Sequence, residues 1–455
     1  MKTLQLSRFA IALCACGLTG FSASAAAADE RATNEALMRR IEALEQQVNA
    51  QKAAPAPAAV APVAAAPAAP AATGDLKLSW GGYVKLDAIG SRFSDAAVAQ
   101  GTGRDFYVPA AIPVTTAAAE HSRSYTDFLA KETRLFLKGE GTVLGHKLGS
   151  YVEFDFISGQ ISQATAGSGN EAVTNAYNPA LRRAYITYDN LLLGQDWSTF
   201  QNLVALPDTL DFVAWPSEGT VFSRQPLIRY THGNLAISLE NTNTTVAARG
   251  TSAFGNTNDN TVPDLVSRYT LKTGFGDFTL AGMVRQLSDR GTVNNAGPVV
   301  AGNDTTIGYG LSLAGKIPTI GKDDIRFTVT GGDGIGRYQA LNTIGDAVLD
   351  AQGHLHSVEI VNGFVAYRHP WNEQWRSTLT ASAYHANTGK GTVAAGGTNF
   401  GPDATRSVRS SSINLLYSPI PKLTFGGELR YARRDTVAGN SGDLSRLQFS
   451  AKYSF

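Results

Sequence analysis

Cysteine is almost missing: the only two, Cys14 and Cys16, fall inside the first 28 residues, which read as a leader removed on export. The mature chain is therefore expected to carry no disulfide, no thiolate nucleophile and no cysteine-ligated zinc. Long apolar runs are missing too. Beyond residue 28 no window of about 18 residues is apolar enough to cross a bilayer as a helix, which excludes a polytopic helical transporter. Apolar residues make up only 43% and charged residues only 17%, both lower than in an ordinary soluble domain. Neither sign of charge dominates, because 39 Lys and Arg face 38 Asp and Glu. Removing Lys2 and Arg8 with the leader takes the net charge from +1 to −1. No basic excess of the kind that binds nucleic acid is present.

Lys2 and Arg8 stand before an apolar run from Phe9 to Phe21 and the small residues Ala23, Ser24 and Ala25, the layout of a secretory signal peptide over residues 1–28. A lipoprotein signal around Leu13-Cys14-Ala15-Cys16 is the competing reading, weakened by the short apolar stretch ahead of Cys16. Over residues 29–52, Leu37, Ile41, Leu44 and Val48 occupy d, a, d and a of a heptad, with Arg40 at g and Glu45 at the next e. This predicts a short periplasmic coiled-coil helix, the alternative being an amphipathic helix packed on the following domain. β-Branched Ile41 and Val48 at a with Leu at d favour a dimer, whereas Arg40-Ile41-x-x-Leu44-Glu45 resembles short trimeric coiled coils. Residues 53–74 are almost entirely Ala and Pro, an extended spacer able to reach on the order of 60 Å at about 3.1 Å per residue.

From residue 75 to 455 the pattern has period two. Leu76, Leu78, Trp80, Val84, Leu86 and Ala88 share one face, and Lys77, Ser79, Lys85 and Asp87 the other. The last segment alternates likewise, Leu447, Phe449, Ala451, Tyr453 and Phe455 against Arg446, Gln448, Ser450, Lys452 and Ser454. Its terminal Phe resembles the ending of bacterial outer-membrane barrels. Fourteen further alternating segments lie between them, near 131–140, 147–157, 180–188, 191–197, 224–231, 235–242, 265–273, 278–287, 305–315, 325–331, 358–368, 375–386, 406–417 and 422–432. Short connections such as Asp189-Asn190 and His232-Gly233 alternate with long polar ones at 91–130, 158–178, 243–264, 333–355 and 387–405. The expected fold is all-β, a sixteen-stranded antiparallel transmembrane β-barrel whose long loops face outward, in contact with outer-membrane lipids.

With the apolar faces toward lipid, the inward set includes Arg134, Arg183, Arg229, Arg268, Arg285, Arg326, Arg368, Arg376, Arg430 and Arg446, with Lys77, Lys85, Lys138, Lys147, Lys272 and Lys452. Facing them are Asp87, Glu132, Glu140, Glu153, Asp155, Glu240 and Glu428, mostly on early strands, so the later wall reads as basic. Arg182 and Arg224 are the alternatives to Arg183 and Arg229. The stretch from Ser198 to Phe222 carries Leu203, Val204, Leu206, Leu210, Phe212, Val213 and Trp215, too apolar for a solvated outer loop. It is expected to fold into the lumen, or to pack on a neighbouring protomer. Its Asp208, Asp211 and Glu218 would face the basic wall and set up a transverse field.

Gly194-Gln195-Asp196-Trp197-Ser198-Thr199-Phe200, Phe222-Ser223-Arg224-Gln225-Pro226 before Arg229-Tyr230, Trp371 to Trp375-Arg376-Ser377, and Ser418-Pro419 resemble the DcaP-like porins, as does a coiled coil ahead of a barrel. The resemblance spans essentially the whole mature chain. It implies a homotrimeric sixteen-stranded channel with arginines near its constriction, passing small anionic solutes such as dicarboxylates across the outer membrane of a Gram-negative bacterium. A phosphate-selective or general porin is the neighbouring possibility. The near-neutral charge and acidic third loop depart from a simple anion pore.

Enzyme and metal readings find little purchase. Gly310 to Gly315-Lys316 imitates a phosphate-binding loop, but Ile317 stands where Ser or Thr is required. His354 and His356 share a face without an evident third ligand, and no catalytic spacing or cofactor motif is seen. A structural tether or adhesin with a closed barrel, contacting the periplasm or cell wall through the N-terminal helix, is the reading from another class.

Overall fold

The computed structural model describes residues 76–115, 121–157, 177–290, 303–350, 352–389 and 399–455. The leader, the heptad positions Leu37, Arg40, Ile41, Leu44, Glu45 and Val48, and the Ala/Pro spacer lie outside the described residues.

Sixteen antiparallel wall strands follow in chain order. They are β1 (Lys77–Phe93), β2 (Arg123–Leu129 continuing as Arg134–Val143), β3 (His146–Asp155), β4 (Ala180–Tyr188), β5 (Leu191–Trp197), β6 (Arg224–His232), β7 (Leu235–Glu240) and β8 (Asp264–Thr273). The second half comprises β9 (Gly276–Asp289), β10 (Asp304–Pro318), β11 (Asp324–Asp333), β12 (Glu359–Pro370), β13 (Trp375–Asn387), β14 (Thr405–Ile420), β15 (Leu423–Thr436) and β16 (Ser441–Ser454). β16 pairs back onto β1, with Phe449 opposite Ala88, so the sheet closes and leaves no strand edge unpaired. The ordinary burial rule is inverted along the wall. Leu78 and Trp80 are 66% and 74% exposed, while Lys85 and Asp87 on the opposite face of the same strand are buried. Only an apolar medium outside and a polar lumen inside make that arrangement stable.

Two irregularities matter for the lumen. β2 is interrupted at residues 130–133: its first segment pairs with Asp87–Phe93 of β1 and its second with Lys77–Tyr83. Thr133 Oγ1 bridges the gap by accepting the Lys85 N–H at 3.3 Å, and the break turns the buried Glu132 against the Lys85 ammonium. The second is a bulge on β4. Glu153 lies opposite Arg183 but Phe154 opposite Leu181, so Arg182 is an extra residue.

At one end the strands are joined tightly, as at Leu144-Gly145, where both residues take positive φ (52° and 85°) as a two-residue hairpin requires. At the other end the loops are long, and several turn inward. Within 91–130 and 333–355, expected to be long polar connections, Phe106, Tyr107, Ile112, Ile335, Tyr338 and Ile344 are buried. They pack with the 198–223 loop and the upper inner wall, forming a hydrophobic core inside the outer end of the barrel. Short strands Thr245–Ala247, Phe254–Asn256, Ala347–Leu349 and Leu355–Ser357 build a second sheet from the loops.

Candidate functional site: the charged lumen

The segment from Ser198 to Ser223 enters the lumen, as its apolar content predicts, with Phe200, Ala205, Leu210, Val213 and Trp215 buried. Its backbone has almost no regular structure of its own, so its carbonyls need donors from the wall. Arg268 donates to Gln201 O (2.8 Å), Lys85 and Gln448 to Leu210 O (2.6 and 3.1 Å), and Asn414 to Asp208 O (2.7 Å). Arg326 bonds Leu206 O, and Arg229 bonds Trp197 O and the Thr199 hydroxyl. In the other direction Leu210 N–H donates to Glu428 Oε2 at 3.0 Å. Inward donors from six wall strands, four of them cationic, therefore lay the loop across the channel.

The remaining charge gathers at two places. On the early wall the β4 bulge brings both candidate arginines inside: Arg182 pairs with Glu153 (2.8 Å) and Asp155 (2.5 Å), and Arg183 with Asp196 (2.6 Å). Arg134 stands 3.6 Å from Asp155, and Arg229 2.8 Å from Asp196. Arg224 lies over the rings of Trp197 (5.0 Å) and Phe222 (5.7 Å), where the loop leaves and rejoins the wall. On the late wall Arg326 pairs with Asp324 (2.5 Å), Arg368 stands 3.6 Å from Asp324 and 3.8 Å from Asp208, and Arg376 bonds Asp208 directly. In most of these pairs the cation is the partner that meets water. Arg183 is 22% exposed and Asp196 6%; Arg134 is 21% exposed and Asp155 2%. At Asp208 the order is reversed, 31% against 25% for Arg368 and 21% for Arg376.

A sequence-family model for the DcaP outer membrane protein matches residues 149–455, two thirds of the chain and most of the barrel. The chain belongs to the DcaP outer membrane protein family. It resembles in fold the outer membrane channel DcaP of Acinetobacter baumannii, at 22% identity over 84% of this chain and 97% of that one, with a TM-score of 0.66. More remote likenesses are an anion-selective porin from Comamonas acidovorans (12% identity, 84% and 100% of the two chains, TM-score 0.49) and OmpF of Salmonella typhi (9%, 82% and 97%, 0.43). No curated protein matches the sequence. Membership places this DcaP-family barrel in the Gram-negative outer membrane with a porin fold.

Within this DcaP-family lumen the expected arginines divide by environment. Arg134, Arg183, Arg268, Arg326, Arg368 and Arg376 retain partial access to solvent. Arg285 does not: its side chain is fully buried between Asp346 (2.8 Å) and Asp264 (3.4 Å), tying loop 334–358 to the wall. Arg430 is sealed beside Glu428 (3.0 Å) and over Tyr107 (4.9 Å), and Arg446 is buried against Ser91, Gly103 O and Asp211. The loop carboxylates also differ from the expected open transverse field. Asp208 contacts Arg376 yet stays open to the lumen, whereas Asp211 is buried and accepts the Tyr107 N–H at 2.9 Å, and Glu218 is buried and bonded by Ser382. Desolvation drives this outcome, because a buried carboxylate is tolerated only where donors meet it.

Asp196 and Asp324 join the lumen carboxylates, since alternation along β5 and β11 puts them on the inward side, where they pair with arginines. Arg337, which meets Asp264 at 3.3 Å, sits on an irregular loop where alternation has no meaning. His354 and His356 do acquire a common partner, Asp350, at 3.5 and 2.9 Å. Among the described residues no group of three or more His, Cys, Asp or Glu is arranged to hold a metal ion.

Proposed function

We propose that this barrel is a passive diffusion channel for small hydrophilic solutes that favours small organic anions such as dicarboxylates. The observation supporting anion preference is the uneven access within the lumen ion pairs away from Asp208: water meets the guanidiniums of Arg134, Arg183 and Arg326 more than their carboxylates. A guanidinium stays charged at physiological pH and presents a fork of donors that fits a carboxylate. Several half-paired arginines in succession provide weak, exchangeable sites, which transport needs more than one deep trap. We assign the lining to Arg134, Arg183, Arg268, Arg326, Arg368 and Arg376 with Asp208 as their counter-charge, and the assembly to a homotrimer whose N-terminal helices lie in the periplasm.

The test is planar-bilayer recording of the full-length protein in a salt gradient. Arg183→Gln combined with Arg368→Gln should move the reversal potential toward cations and weaken current block by succinate, and Asp208→Asn should do the opposite. Both effects should fade in molar salt, since fixed charges facing water are screened within about 10 Å at 0.1 M and about 3 Å at 1 M. Unchanged selectivity and block in variants that retain heat-modifiable migration reject the arginines as the selective element. The loops packed inside the outer end favour one other reading, a closed tether, which predicts no conductance from the wild-type protein.

A further inference from the structure

The outer surface of the wall is not uniform. Across β13 to β16, β1 and β2 one lateral row of outward residues reads Ala381, Ser411, Tyr431, Ser445, Arg92 and Ser124, each directly opposite the next. The neighbouring row toward the short-turn end reads Leu379, Ile413, Leu429 and Leu447. Two adjoining depressions follow these rows and share Ile413, Leu429 and Leu447. The lower, of about 1200 Å³, runs between Leu86, Tyr417, Phe425 and Phe449 over the small residues Ala88, Gly427 and Ala451. The upper, of about 650 Å³, is edged by Arg92, Ser124, Thr126, Tyr431 and Ser445. Together they form one furrow, apolar below and polar above, on the outside of the barrel. From Tyr431 to Phe425 it follows about 20 Å of strand, enough for an extended fatty acyl chain.

The charges at its upper end are only partly balanced. Arg92 is exposed and makes no hydrogen bond or ion pair among the described residues. Arg409, 67% exposed, lies directly opposite Arg433, a like-charged cross-strand pair whose repulsion one shared carboxylate offsets only in part. The carboxylates nearby are Asp435, 3.4 Å from Arg409 and 3.2 Å from Arg433, and Asp443, 3.7 Å from Arg433. Asp435 is shared between Arg409 and Arg433 and Asp443 stands beside Arg433, so two carboxylates serve three guanidiniums and neither pairs with Arg92. This end of the wall leads into the long loop 94–122, so it faces the outer leaflet.

We propose that the furrow seats one phosphorylated glycolipid of the outer leaflet, its phosphoryl groups on Arg92 and Arg409 and an acyl chain along Leu429, Phe425 and Phe449. The inference rests on the outer-membrane barrel and is independent of channel selectivity. A protein partner would have to carry exposed carboxylates at membrane depth, a costly surface for a free membrane protein. The leaflet's own phosphoryl groups already lie at that depth, and basic side chains at a membrane surface attract them.

Native mass spectrometry of the full-length protein in mild detergent, titrated with hexa-acylated bis-phosphorylated lipid A and separately with phosphatidylglycerol, tests this. One lipid A per chain should be retained at concentrations where phosphatidylglycerol is not. Arg92→Gln with Arg409→Gln should weaken retention about twenty-five-fold, each arginine near an anionic headgroup contributing roughly a factor of five. Ala451→Trp, which fills the apolar half and leaves the arginines intact, should weaken it as well. Equal retention of the two lipids overturns the proposal, and so does unchanged lipid A retention in both variants. A change in oligomeric mass without a change in lipid retention also overturns it, and makes the furrow a contact between copies of this chain.

Discussion

A guanidinium and a carboxylate bonded in a barrel wall divide the water unequally because their side chains differ in length. Asp196 and Asp155 are short and stay close to the strand backbone, whereas Arg183 and Arg134 extend past them and keep an edge in the lumen. A neutral ion-pair count thus coexists with a basic accessible surface. Where loops seal the lumen the same residue type loses this role, as Arg285 does between Asp264 and Asp346. Asp350 gives a titration to measure outside the membrane-spanning strands. Burial raises its carboxyl, but hydrogen bonds from His356 and from the N–H groups of His354 and Gln352 outweigh burial and hold it well below the usual carboxylate range. A depressed folded value stabilises the Ala347–Leu349 and Leu355–Ser357 hairpin above the unfolded value, about pH 3.9, and the stabilisation is lost as pH falls through the folded one. Amide exchange across 349–357 should therefore be faster in Asp350→Asn than in the wild type at pH 7. The two should converge toward pH 2, and equal rates at pH 7 would show that this carboxylate does not hold the hairpin.

Among the elements, the 198–223 loop behaves as a strap fastened by foreign side chains. Its Thr199, Gln201, Leu206, Asp208 and Leu210 carbonyls or hydroxyl are met by donors from the wall, so removing donors should loosen the strap without opening the barrel. Hydrogen bonds to charged groups contribute about 1.5–3 kcal/mol each. Arg268→Met with Arg326→Met is expected to raise open-channel current noise and mean conductance while leaving the barrel's heat-modifiable migration within a few degrees of the wild type. Unaltered noise would mean that the apolar anchors Phe200, Leu210 and Trp215 suffice. The interruption of β2 serves the same strap. It delivers Glu132 to Lys85, whose ammonium is then oriented to Leu210 O.

At the scale of the molecule, closure between β1 and β16 satisfies the backbone in a medium without hydrogen-bonding partners, and the outward apolar rows supply the contact with lipid. In the proposed trimer, subunit association is expected to rest on barrel-to-barrel burial, which should exceed what a two-heptad helix provides. Deleting residues 30–52 is expected to leave the oligomeric mass of the detergent-solubilised protein unchanged. Dissociation to monomers on that deletion would move the main subunit contact to the N-terminal helix.

Period two was written into the sequence because every wall strand has lipid on one side and water on the other, and that contrast repeats residue by residue. Strand number, the long and short connections and the inward turn of the 198–223 loop were all legible for this reason. Alternation gives one side per residue, so it forced a choice between Arg182 and Arg183; the bulge opposite Glu153 admits both, and only strand pairing reveals a bulge. The connections 91–130 and 333–355 looked like long polar ones since their buried residues, Tyr107 and Tyr338 among them, are scattered without period. Which arginines face open water is likewise decided in three dimensions. Access depends on what lies across the lumen, and Arg368 and Arg285 share the same inward parity yet differ entirely in the groups packed over them.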